Sequence, residues 1–347
     1  MRKTFSEPCL AAAAVQGSAV ASPAGTAAAP LCGTRLQRRV LGGPTMGTRW
    51  SVQFDATSAC DSRALQQALA DAVEAVDTQM SPWKPDSALS RLNRAAPDNW
   101  VDLPPDTMTV LAHALQVCRA SDGAFDPAVG ALVDAWGFGA ARTGPDAQAI
   151  HAAAALPAHP AHRWLELDLV GARACKRAPM QLDLCGIAKG HGVDRMVAVL
   201  QAHGVAHALV SLDGELRALG GQADGTPWSV ALESPRHGLR SAHGVIELVD
   251  LAVATSGDYR RWLQVGPARV AHTMDARRRA PVRNEVASVT VLARDCISAD
   301  AWATALLVAG PAAGLELAQR MGLEALWLLR REHGLVELGL GRFGMGR

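Results

Sequence analysis

Two oxygen-bearing side chains lie one helical turn apart in the most apolar helix that the sequence predicts. In CISADAWATALLVAG (296–310), Asp300 and Thr304 stand among Ala, Leu and Val residues, and Ser298 is the predicted N-cap. Residues four apart share one face of a helix, and a carboxylate buried there without a partner is costly. A carboxylate and a hydroxyl at this spacing suit a hard cation such as Mg²⁺. The alternative is that Asp300 only interacts with the N-terminal end of its own helix.

A glycine-bearing turn beside a lysine is a second candidate site. QLDLCGIAKGHGVDRMVAVL (181–200) predicts a strand over 181–184 and a helix over about 187–203, which Gly204 ends. Free backbone N–H groups at such a helix start, with Lys189 beside them, are suited to a phosphate group. A close-packed turn with a solvated lysine accounts for the stretch equally well. The stretch contains neither a Walker A loop nor a GxGxxG fingerprint.

Two loops carry groups suited to a flat ring. In SDGAFDPAVGALVDAWGFG (121–139), Phe125 and Asp126 stand between glycines, which let a flat ligand approach the backbone, and Asp126 offers an acceptor for ring N–H groups. A helix start capped by Asp126 before Pro127 is the alternative. Trp83, in the turn-rich MSPWKPDS, is either a stacking partner for the ring or a side chain packed against its own domain.

His272 and Asp275 lie at the end of a predicted strand, in ARVAHTMDARRRAPV (268–282). A single histidine is more often structural than functional. The neighbouring acid and the arginines at 277–279 favour a functional role here, whereas an arginine run by itself is typical of a solvated surface.

The elements that would position these groups alternate irregularly between helix and strand. The hydrophobic periodicity predicts helices over 62–80 and 105–121, a helix from Pro127 to Trp136, and the helices that follow 187 and 298. Predicted strands lie at 48–54, 164–168, 207–212, 228–232, 245–249, 252–255, 269–274, 286–293 and 325–330. Because no regular strand–helix–strand alternation occurs, this order predicts an α+β fold with largely antiparallel sheets and packed helices.

The composition of the chain limits the classes of protein it can belong to. Its 347 residues, 49% hydrophobic and 19% charged, are enough for one large domain or two smaller ones. The net charge of +1 offers no basic field for nucleic acid, and no run of about 20 apolar residues predicts a membrane span. The seven cysteines are scattered without metal-ligand spacing, so we expect most of them to be buried thiols.

We expect residues 1–42 to be a leader outside the folded domain of residues 43–347. Arg2 and Lys3 precede an Ala-, Ser- and Gly-rich stretch, and an AVA–S junction at 19–22 resembles a signal-peptidase site. Glu7 and Pro8 interrupt the apolar segment that an export signal needs, so the leader is either a degenerate signal or a disordered tail. We expect a periplasmic protein or one at the outer face of the inner membrane, with the cytoplasm as the alternative.

Eight motifs, in order along the chain, resemble the ApbE family, the FAD:protein FMN transferases. They are GPTMGTRWSV, MSPWKPDSALSRLN, DGAFDPAVGALVDAWGFG, LDLCGIAKGHGVDR, VSLDGELRALG, VATSGDYRRW, AHTMDARRRAPV and SVTVLARDCISADAWATAL. The resemblance extends from about residue 43 to residue 330. It implies an α+β fold of the ApbE (T-fold-like) type, in which FAD binds in a cleft beside Mg²⁺.

The resemblance also assigns site residues motif by motif. The FAD-contacting positions fall on Met46, Trp83, Ala124, Phe125, Asp126, Asp183, Lys189 and Met274. The metal positions fall on Asp300 and Thr304, with backbone oxygens of Gly186 and Ile297. His272 matches the histidine proposed to assist the transfer, and Asp275 and Lys189 are the other catalytic candidates. Three features depart from the family: ARRRAP (276–281) replaces a PRTGRP-like turn, Asp213 replaces a usual glycine, and Cys185 replaces a common Ser or Gly.

The function that the resemblance implies is Mg²⁺-dependent transfer of FMN from FAD to a Thr or Ser hydroxyl of a partner protein, with release of AMP. The implied acceptors are flavin-carrying subunits of membrane redox complexes or respiratory regulators. Two other functions stay open from the sequence. One is an FAD pyrophosphatase that produces FMN and AMP, and the other is a protein that binds or delivers FAD without chemistry.

Overall fold

The computed structural model describes residues 36–156, 159–235, 241–266 and 268–344. The helices in these ranges are α1 (Ser62–Met80), α2 (Ala88–Arg94), α3 (Pro105–Ala120), α4 (Gly130–Ala135), α5 (Ala147–Ala155), α6 (Ala161–Trp164), α7 (Ala188–Ala202), α8 (Cys296–Ala309) and α9 (Pro311–Met321), with 3-10 turns at Pro127–Val129 and Gly341–Phe343. The strands are β1 (Gln37–Thr45), β2 (Thr48–Ala56), β3 (Trp100–Asp102), β4 (Leu165–Asp168), β5 (Arg173–Lys176), β6 (Ala208–Leu212), β7 (Glu215–Leu219), β8 (Trp228–Glu233), β9 (Ala242–Leu248), β10 (Ala252–Gly257), β11 (Trp262–Val265), β12 (Ala268–Ala271), β13 (Met274–Asp275), β14 (Ala280–Pro281), β15 (Val286–Ala293), β16 (Glu324–Arg331) and β17 (Gly334–Leu340).

One antiparallel sheet of eight strands is the frame of the fold. Its strand order is β1-β2-β6-β7-β10-β15-β16-β17, and every neighbouring pair is antiparallel. Smaller antiparallel pairings are β3-β5-β4, β8-β9, β11-β12 and β13-β14. The prediction of an α+β fold with largely antiparallel sheets is confirmed.

Helices pack on one face of this sheet and the β8–β9 hairpin packs on the other. Alternate side chains of a strand point to opposite faces. Val210 of β6 accordingly packs in one core cluster with Leu69 of α1 and Met196 of α7, while its neighbour Leu209 packs in another with Trp228 of β8. Within the described residues, the hairpin and the 3-10 turn that carries Phe343, rather than an α-helix, cover this second face.

Helix α8 is buried nearly all round, as its sequence predicts, but it begins earlier than expected. Its N-cap is Asp295, whose carboxylate accepts from the Ser298 N–H across 3.0 Å. Ser298 therefore lies inside the helix, and the prediction that it is the cap is wrong. A second acid explains the earlier start. Asp194 accepts hydrogen bonds from the N–H groups of Cys296 and Ile297 at 3.0 and 2.9 Å, so the free N–H groups of the first turn already have acceptors before Ser298.

The segment 181–184, predicted as a strand, belongs to no sheet. Its backbone groups instead bond to loops and a side chain: the Leu182 N–H donates to Asn93 Oδ1 across 2.8 Å, and the Asp183 N–H donates to the Pro127 carbonyl across 2.8 Å. The carbonyl of Gln181 accepts from Gly130 across 2.9 Å. These bonds lock the segment against the loop that carries Phe125 and Asp126.

Strand β1 begins at Gln37, so the domain boundary predicted at residue 43 lies inside a strand of the main sheet. Arg38 forms an ion pair with the buried Asp55 of β2 across 2.5 Å, and its guanidinium also lies 4.5 Å from the Trp228 ring. The rest of the predicted leader, including the junction at 19–22, lies outside the described residues. Across the described ranges, none of the helices has the length and apolar character needed to span a membrane.

Candidate active site

The Asp300 carboxylate lies where α7 and α8 touch. A Cβ atom built on Gly190 of α7 would lie 2.3 Å from the Cys296 carbonyl oxygen and 2.8 Å from the Asp300 Cβ atom, so only glycine allows this approach. The Gly190 N–H then donates to Asp300 Oδ2 across 3.0 Å. Asp300 is 3% exposed, so the backbone of α7 supplies a direct partner to a carboxylate that water hardly reaches.

The Gly186 backbone lies beside the Thr304 side chain, which is one helical turn from Asp300 in α8. A Cβ atom on Gly186 would lie 3.1 Å from Thr304 Oγ1 and 3.5 Å from the Phe125 ring, so the Gly186 backbone borders the Thr304 hydroxyl. That hydroxyl shares a hydrogen bond of 3.0 Å with Ser256 Oγ. In a helix, the Gly190 N–H would donate to the Gly186 carbonyl four residues earlier. It donates to Asp300 instead, and no other backbone N–H of the described residues donates to that carbonyl.

Ile297, the fourth predicted position, lies in the first turn of α8. Its N–H is one of the two that donate to Asp194, an acid that Arg217 also contacts across 2.5 Å. Whether its carbonyl oxygen binds a metal stays a prediction. Asp194, which the sequence analysis missed, fixes the start of α8 and thereby places Asp300; its position one helical turn after Gly190 in AKGHGVDR is the signal that could have identified it.

Lys189 contacts two acids that the sequence analysis did not assign to the site. Its Nζ lies 2.6 Å from Glu215 Oε1 and 3.6 Å from Asp213 Oδ2. Burial opposes its charge, but the carboxylates of Glu215, Asp213 and Asp300 hold the pKa of Lys189 well above its usual range. The protonated form of Lys189 is therefore favoured at the start of α7, and Glu215, itself 3% exposed, contacts its Nζ.

The electrostatic state of Asp300 follows from these neighbours. Burial, followed by the charge of Glu215, raises the pKa of Asp300, against the opposing effects of Lys189 and the Gly190 N–H. Burial without a cation therefore disfavours the ionised form of this carboxylate. A cation beside it would favour the ionised form.

His272 is held in one orientation by the backbone of Arg261. Its N–H and its ring Nδ1 lie 3.3 and 3.1 Å from the Arg261 carbonyl oxygen. A carbonyl only accepts, so the neutral ring carries its proton on Nδ1 and leaves Nε2 as an acceptor. Burial, with the charge of Arg261 as the next cause, lowers the pKa of His272 to about 4. The tautomer leaves Nε2 available to accept a proton, while the lowered pKa makes the ring a weaker base than an ordinary histidine.

The Asp275 carboxylate bonds to the residues of the turn that follows it. Its Oδ1 accepts from the N–H groups of Arg277 and Arg278 at 3.0 and 3.3 Å, and the Arg277 side chain forms an ion pair with it across 3.2 Å. A Cβ atom on Gly123 would lie 3.8 Å from Arg277 Cγ, so this turn adjoins the loop that carries Phe125. The geometry gives Asp275 a structural function, and its catalytic role stays a prediction.

Two of the departures from the family pattern have left-handed backbone. Asp213, where the family has a usual glycine, has φ = 62°, and Arg279, which stands opposite the glycine of the PRTGRP-like turn, has φ = 55°. This region favours glycine. Contacts of their side chains offset the backbone strain at both positions. Asp213 forms ion pairs with Lys189 and Arg260, and the Arg279 guanidinium donates a hydrogen bond to the Ala153 carbonyl. The turn after Asp275 is thus kept, at the cost of strained residues.

Ala124, Phe125 and Asp126 are all buried, and Asp126 caps the 3-10 turn that begins at Pro127. Its Oδ1 accepts from Ala128 N–H across 2.9 Å and from Ala161 N–H across 3.3 Å. Burial raises its pKa to about 6 in spite of these bonds. The structure therefore has the capped helix start that the sequence left open, while contact between Asp126 and a flavin stays a prediction.

The remaining predicted flavin positions differ in exposure. Trp83 is 51% exposed, whereas Met274 is 5% exposed and packs against Leu132 of α4. Met46 and Gly47 both have positive φ, 47° and 70°, and form the two-residue turn between β1 and β2.

Asp183 lines a cavity of about 220 Å³ whose wall includes Pro82 and Pro85, on either side of the Trp83 loop. Its carboxylate accepts from the Cys185 N–H across 2.7 Å, and burial raises its pKa. This cavity joins the Trp83 loop to the segment that leads to Gly186.

Comparison with known proteins places this site in a family. The ApbE family matches residues 46–327. A FAD:protein FMN transferase of Vibrio cholerae is 36% identical over 308 residues, which are 87% of this chain and 91% of the relative. A FAD:protein FMN transferase of Haemophilus influenzae is 33% identical over 310 residues, 85% of this chain and 88% of the relative.

Solved structures agree with the sequence comparison. The apo form of the flavinyl transferase ApbE of Pseudomonas stutzeri superposes with a TM-score of 0.80 at 33% identity, covering 90% of this chain and 99% of that one. The flavin transferase ApbE of Vibrio cholerae gives a TM-score of 0.78 at 33% identity, covering 89% and 98%.

The buried carboxylate of α8, the lysine of α7 and the oriented histidine after β12, together with these relatives, define an enzyme of the flavin transferase class. The chain belongs to the ApbE family, and its activity is the transfer of flavin from FAD.

Proposed function

We propose that this enzyme transfers FMN from FAD to a threonine or serine hydroxyl of a partner protein, in a Mg²⁺-dependent reaction that releases AMP. The observation that carries the proposal is the site where the start of α7 meets α8. There, a buried carboxylate lies one helical turn from a hydroxyl that the Gly186 backbone borders, next to a lysine whose pKa is raised by the surrounding carboxylates.

The oxygen atoms of this site are of the type that binds Mg²⁺. Asp300, Thr304 and the Gly186 carbonyl are hard ligands of the kind this ion prefers, and Mg²⁺ commonly keeps positions for water and substrate phosphates. Across the described residues, no group of three or more His, Cys, Asp or Glu side chains is arranged to hold a metal ion. A site with one carboxylate, completed by phosphate oxygens, agrees with that finding. When bound, the cation would offset charge on those phosphate oxygens.

The protein's own groups supply the rest of the chemistry. The acceptor hydroxyl oxygen forms a bond to the FMN-side phosphorus, and the bond from that phosphorus to the bridging oxygen breaks. The bridging oxygen leaves as part of AMP, and the hydroxyl proton passes to His272 Nε2. Lys189 would stabilise the charge on the phosphate oxygens, and the contact that orients its Nζ toward Glu215 supports this role.

The proposed acceptors are the flavin-carrying subunits of membrane redox complexes or respiratory regulators. The relatives are FAD:protein FMN transferases, a name that specifies a protein as the FMN acceptor, and this supports an acceptor of this general kind. We also propose a periplasmic location, or one at the outer face of the inner membrane, on the basis of the sequence of the leader alone.

Incubation with FAD, Mg²⁺ and a purified flavin-carrying subunit of a sodium-pumping or Rnf-type reductase tests the proposal. Peptide mapping should locate FMN on a Thr or Ser side chain, and a chelator should abolish the transfer. Free FMN and AMP without a modified acceptor would instead indicate an FAD pyrophosphatase. Intact FAD after prolonged incubation with several acceptors would indicate a protein that binds or delivers FAD.

A further inference from the structure

The residues on the N-terminal side of Arg261 are anchored by charge pairs. Arg330 of β16 donates two hydrogen bonds to the Asp258 carboxylate, both 2.6 Å long. Arg260 forms an ion pair with Glu233 of β8. The backbone that carries Arg261 is therefore attached to two strands on different parts of the sheet system, and its position is fixed before any ligand binds.

Arg261 itself lies directly opposite His272 at the open end of the β11–β12 hairpin. Trp262 pairs with Ala271, and one step further the Arg261 carbonyl accepts from the His272 N–H and from its Nδ1. The Arg261 side chain is exposed, and among the residues that the structure describes it has no hydrogen-bond or ion-pair partner. The segment thus holds the candidate base with its backbone, and the residue opposite that base has an exposed guanidinium without a partner among the described residues.

The charge of this guanidinium acts on the same groups that form the site. It lowers the pKa of His272, second only to burial, and together with Lys189 and Arg260 it lowers the pKa of Asp213 against the effect of burial. The same charge therefore acts on the candidate base and on an acid that contacts Lys189.

The balance of charges around Lys189 shows why a further cation such as Arg261 is needed to bind a phosphate. Asp213, Glu215 and Asp300 place three carboxylates around the single Lys189, whose Nζ is already bonded to Glu215. A dinucleotide pyrophosphate would add further negative charge to a pocket that is already acidic. Arg260 is also engaged, by Glu233. Of these three basic side chains, only Arg261 is unpaired within the described residues.

We infer that Arg261 is a further catalytic residue, whose guanidinium binds a phosphate of the FAD pyrophosphate next to His272. The planar guanidinium donates two parallel hydrogen bonds to phosphate oxygens, which a lysine cannot do. Bound in this way, it would hold the phosphorus within reach of the hydroxyl whose proton His272 accepts. The inference rests on the proposed function for the transfer step, but phosphate binding is measurable without any acceptor.

The test compares the binding of FAD and of riboflavin, which has no phosphate, by quenching of tryptophan fluorescence in the full-length protein with Mg²⁺. Arg261→Gln should weaken FAD binding about ten- to one-hundred-fold, the range expected for charged hydrogen bonds, and leave riboflavin binding unchanged. Arg261→Lys should give an intermediate loss. Arg320→Gln, which removes an exposed charge from α9, is the matched control and should bind both ligands as wild type does.

Equal FAD affinity in wild type and Arg261→Gln would overturn the inference, and so would an equal loss of affinity for FAD and riboflavin, which would indicate a structural effect. Transfer to an acceptor supplies the second readout: Arg261→Gln should lower kcat as well as FAD affinity. If the proposed function is wrong, wild type itself will not modify the acceptor, so that failure is distinguishable from a failure of Arg261.

Discussion

The Gly190 N–H donates to the Asp300 carboxylate across 3.0 Å and thereby joins α7 to α8 at the centre of the site. The two residues belong to motifs far apart in the chain, and the absence of a side chain on one allows the other to be buried. Because Lys189 precedes Gly190, the same contact fixes the lysine relative to the carboxylate. The distance between these two charged groups is therefore set by a helix–helix contact rather than by a flexible loop.

We predict that Gly190→Ala destabilises the protein by about 1–3 kcal/mol, the usual cost of overpacking. The added methyl group would lie 2.3 Å from the Cys296 carbonyl oxygen, and backbone atoms cannot move aside cheaply. Urea unfolding measures the change. Gly244→Ala is the matched control, since its Cβ atom would meet nothing within 4 Å. Equal unfolding midpoints for Gly190→Ala and wild type would show that the two helices separate without cost.

We predict that Asp300→Asn damages flavin transfer more than Thr304→Ala does. The first change removes the only carboxylate among the proposed Mg²⁺ ligands, and the second removes a neutral ligand. Raised Mg²⁺ should restore the activity of Thr304→Ala better than that of Asp300→Asn. In addition, Mg²⁺ with FAD should raise the Tm of wild type much more than that of Asp300→Asn. A wild-type rate with unchanged Mg²⁺ dependence in Asp300→Asn would contradict the metal-site assignment.

We predict that His272 makes stability fall as the pH decreases from neutral. Its pKa is lowered from 6.5 to about 4, so between these values the unfolded chain binds a proton that the folded protein does not. The His272 contribution is present above the unfolded pKa and is lost as the pH falls through the folded one. Urea unfolding at neutral pH and at about pH 5 should show a smaller loss for His272→Gln than for wild type. Identical losses would mean that His272 titrates normally in the folded state.

We predict that Trp83→Ala weakens FAD binding while Trp83→Tyr nearly preserves it. The indole is 51% exposed, so its removal should have little effect on folding, and stacking on a flavin ring is worth about 0.5–1.5 kcal/mol. Fluorescence titration with FAD measures the affinity of each variant. If Trp83→Ala binds FAD as tightly as wild type does, Trp83 has no role in stacking.

We predict that a shortened chain beginning at Leu41 is less stable than one beginning at Leu36. The shorter chain lacks Arg38 and leaves the Asp55 carboxylate, which is 6% exposed, without its ion-pair partner. Loss of a charged partner by a buried group costs about 1–3 kcal/mol. Thermal unfolding of the two chains provides the comparison. Equal Tm values would show that the first half of β1 is dispensable.

The sequence predicts those helices and strands of this fold whose hydrophobic residues recur with a clear helical or strand periodicity. Helix α1 was predicted over 62–80 and β15 over 286–293, and both have these bounds in the structure. The strand expected at 181–184 does not form because its backbone N–H groups donate to the Asn93 side chain of α2 and to the Pro127 carbonyl rather than to a neighbouring strand. No local pattern shows such long-range partners.

Only those site residues that stand out in their local sequence are predictable. Asp300 and Thr304 are apparent as polar residues in an apolar helix, whereas Glu215 and Asp194 resemble ordinary surface acids until the fold brings them to Lys189 and to the start of α8. The cap at Asp295 was missed because its neighbour Ser298 is an equally good N-cap residue by type. Which of the two caps the helix depends on a tertiary contact with Asp194.

The most direct test of FMN transfer is to measure AMP and acceptor-bound flavin in the same sample after incubation with FAD, Mg²⁺ and an acceptor subunit. Intact-mass spectrometry should show the acceptor heavier by one FMN less one water, and AMP should appear in an equal molar amount. The same sample prepared with Asp300→Asn should show neither product at a comparable rate. Release of AMP together with free FMN, with the acceptor mass unchanged, would contradict the account.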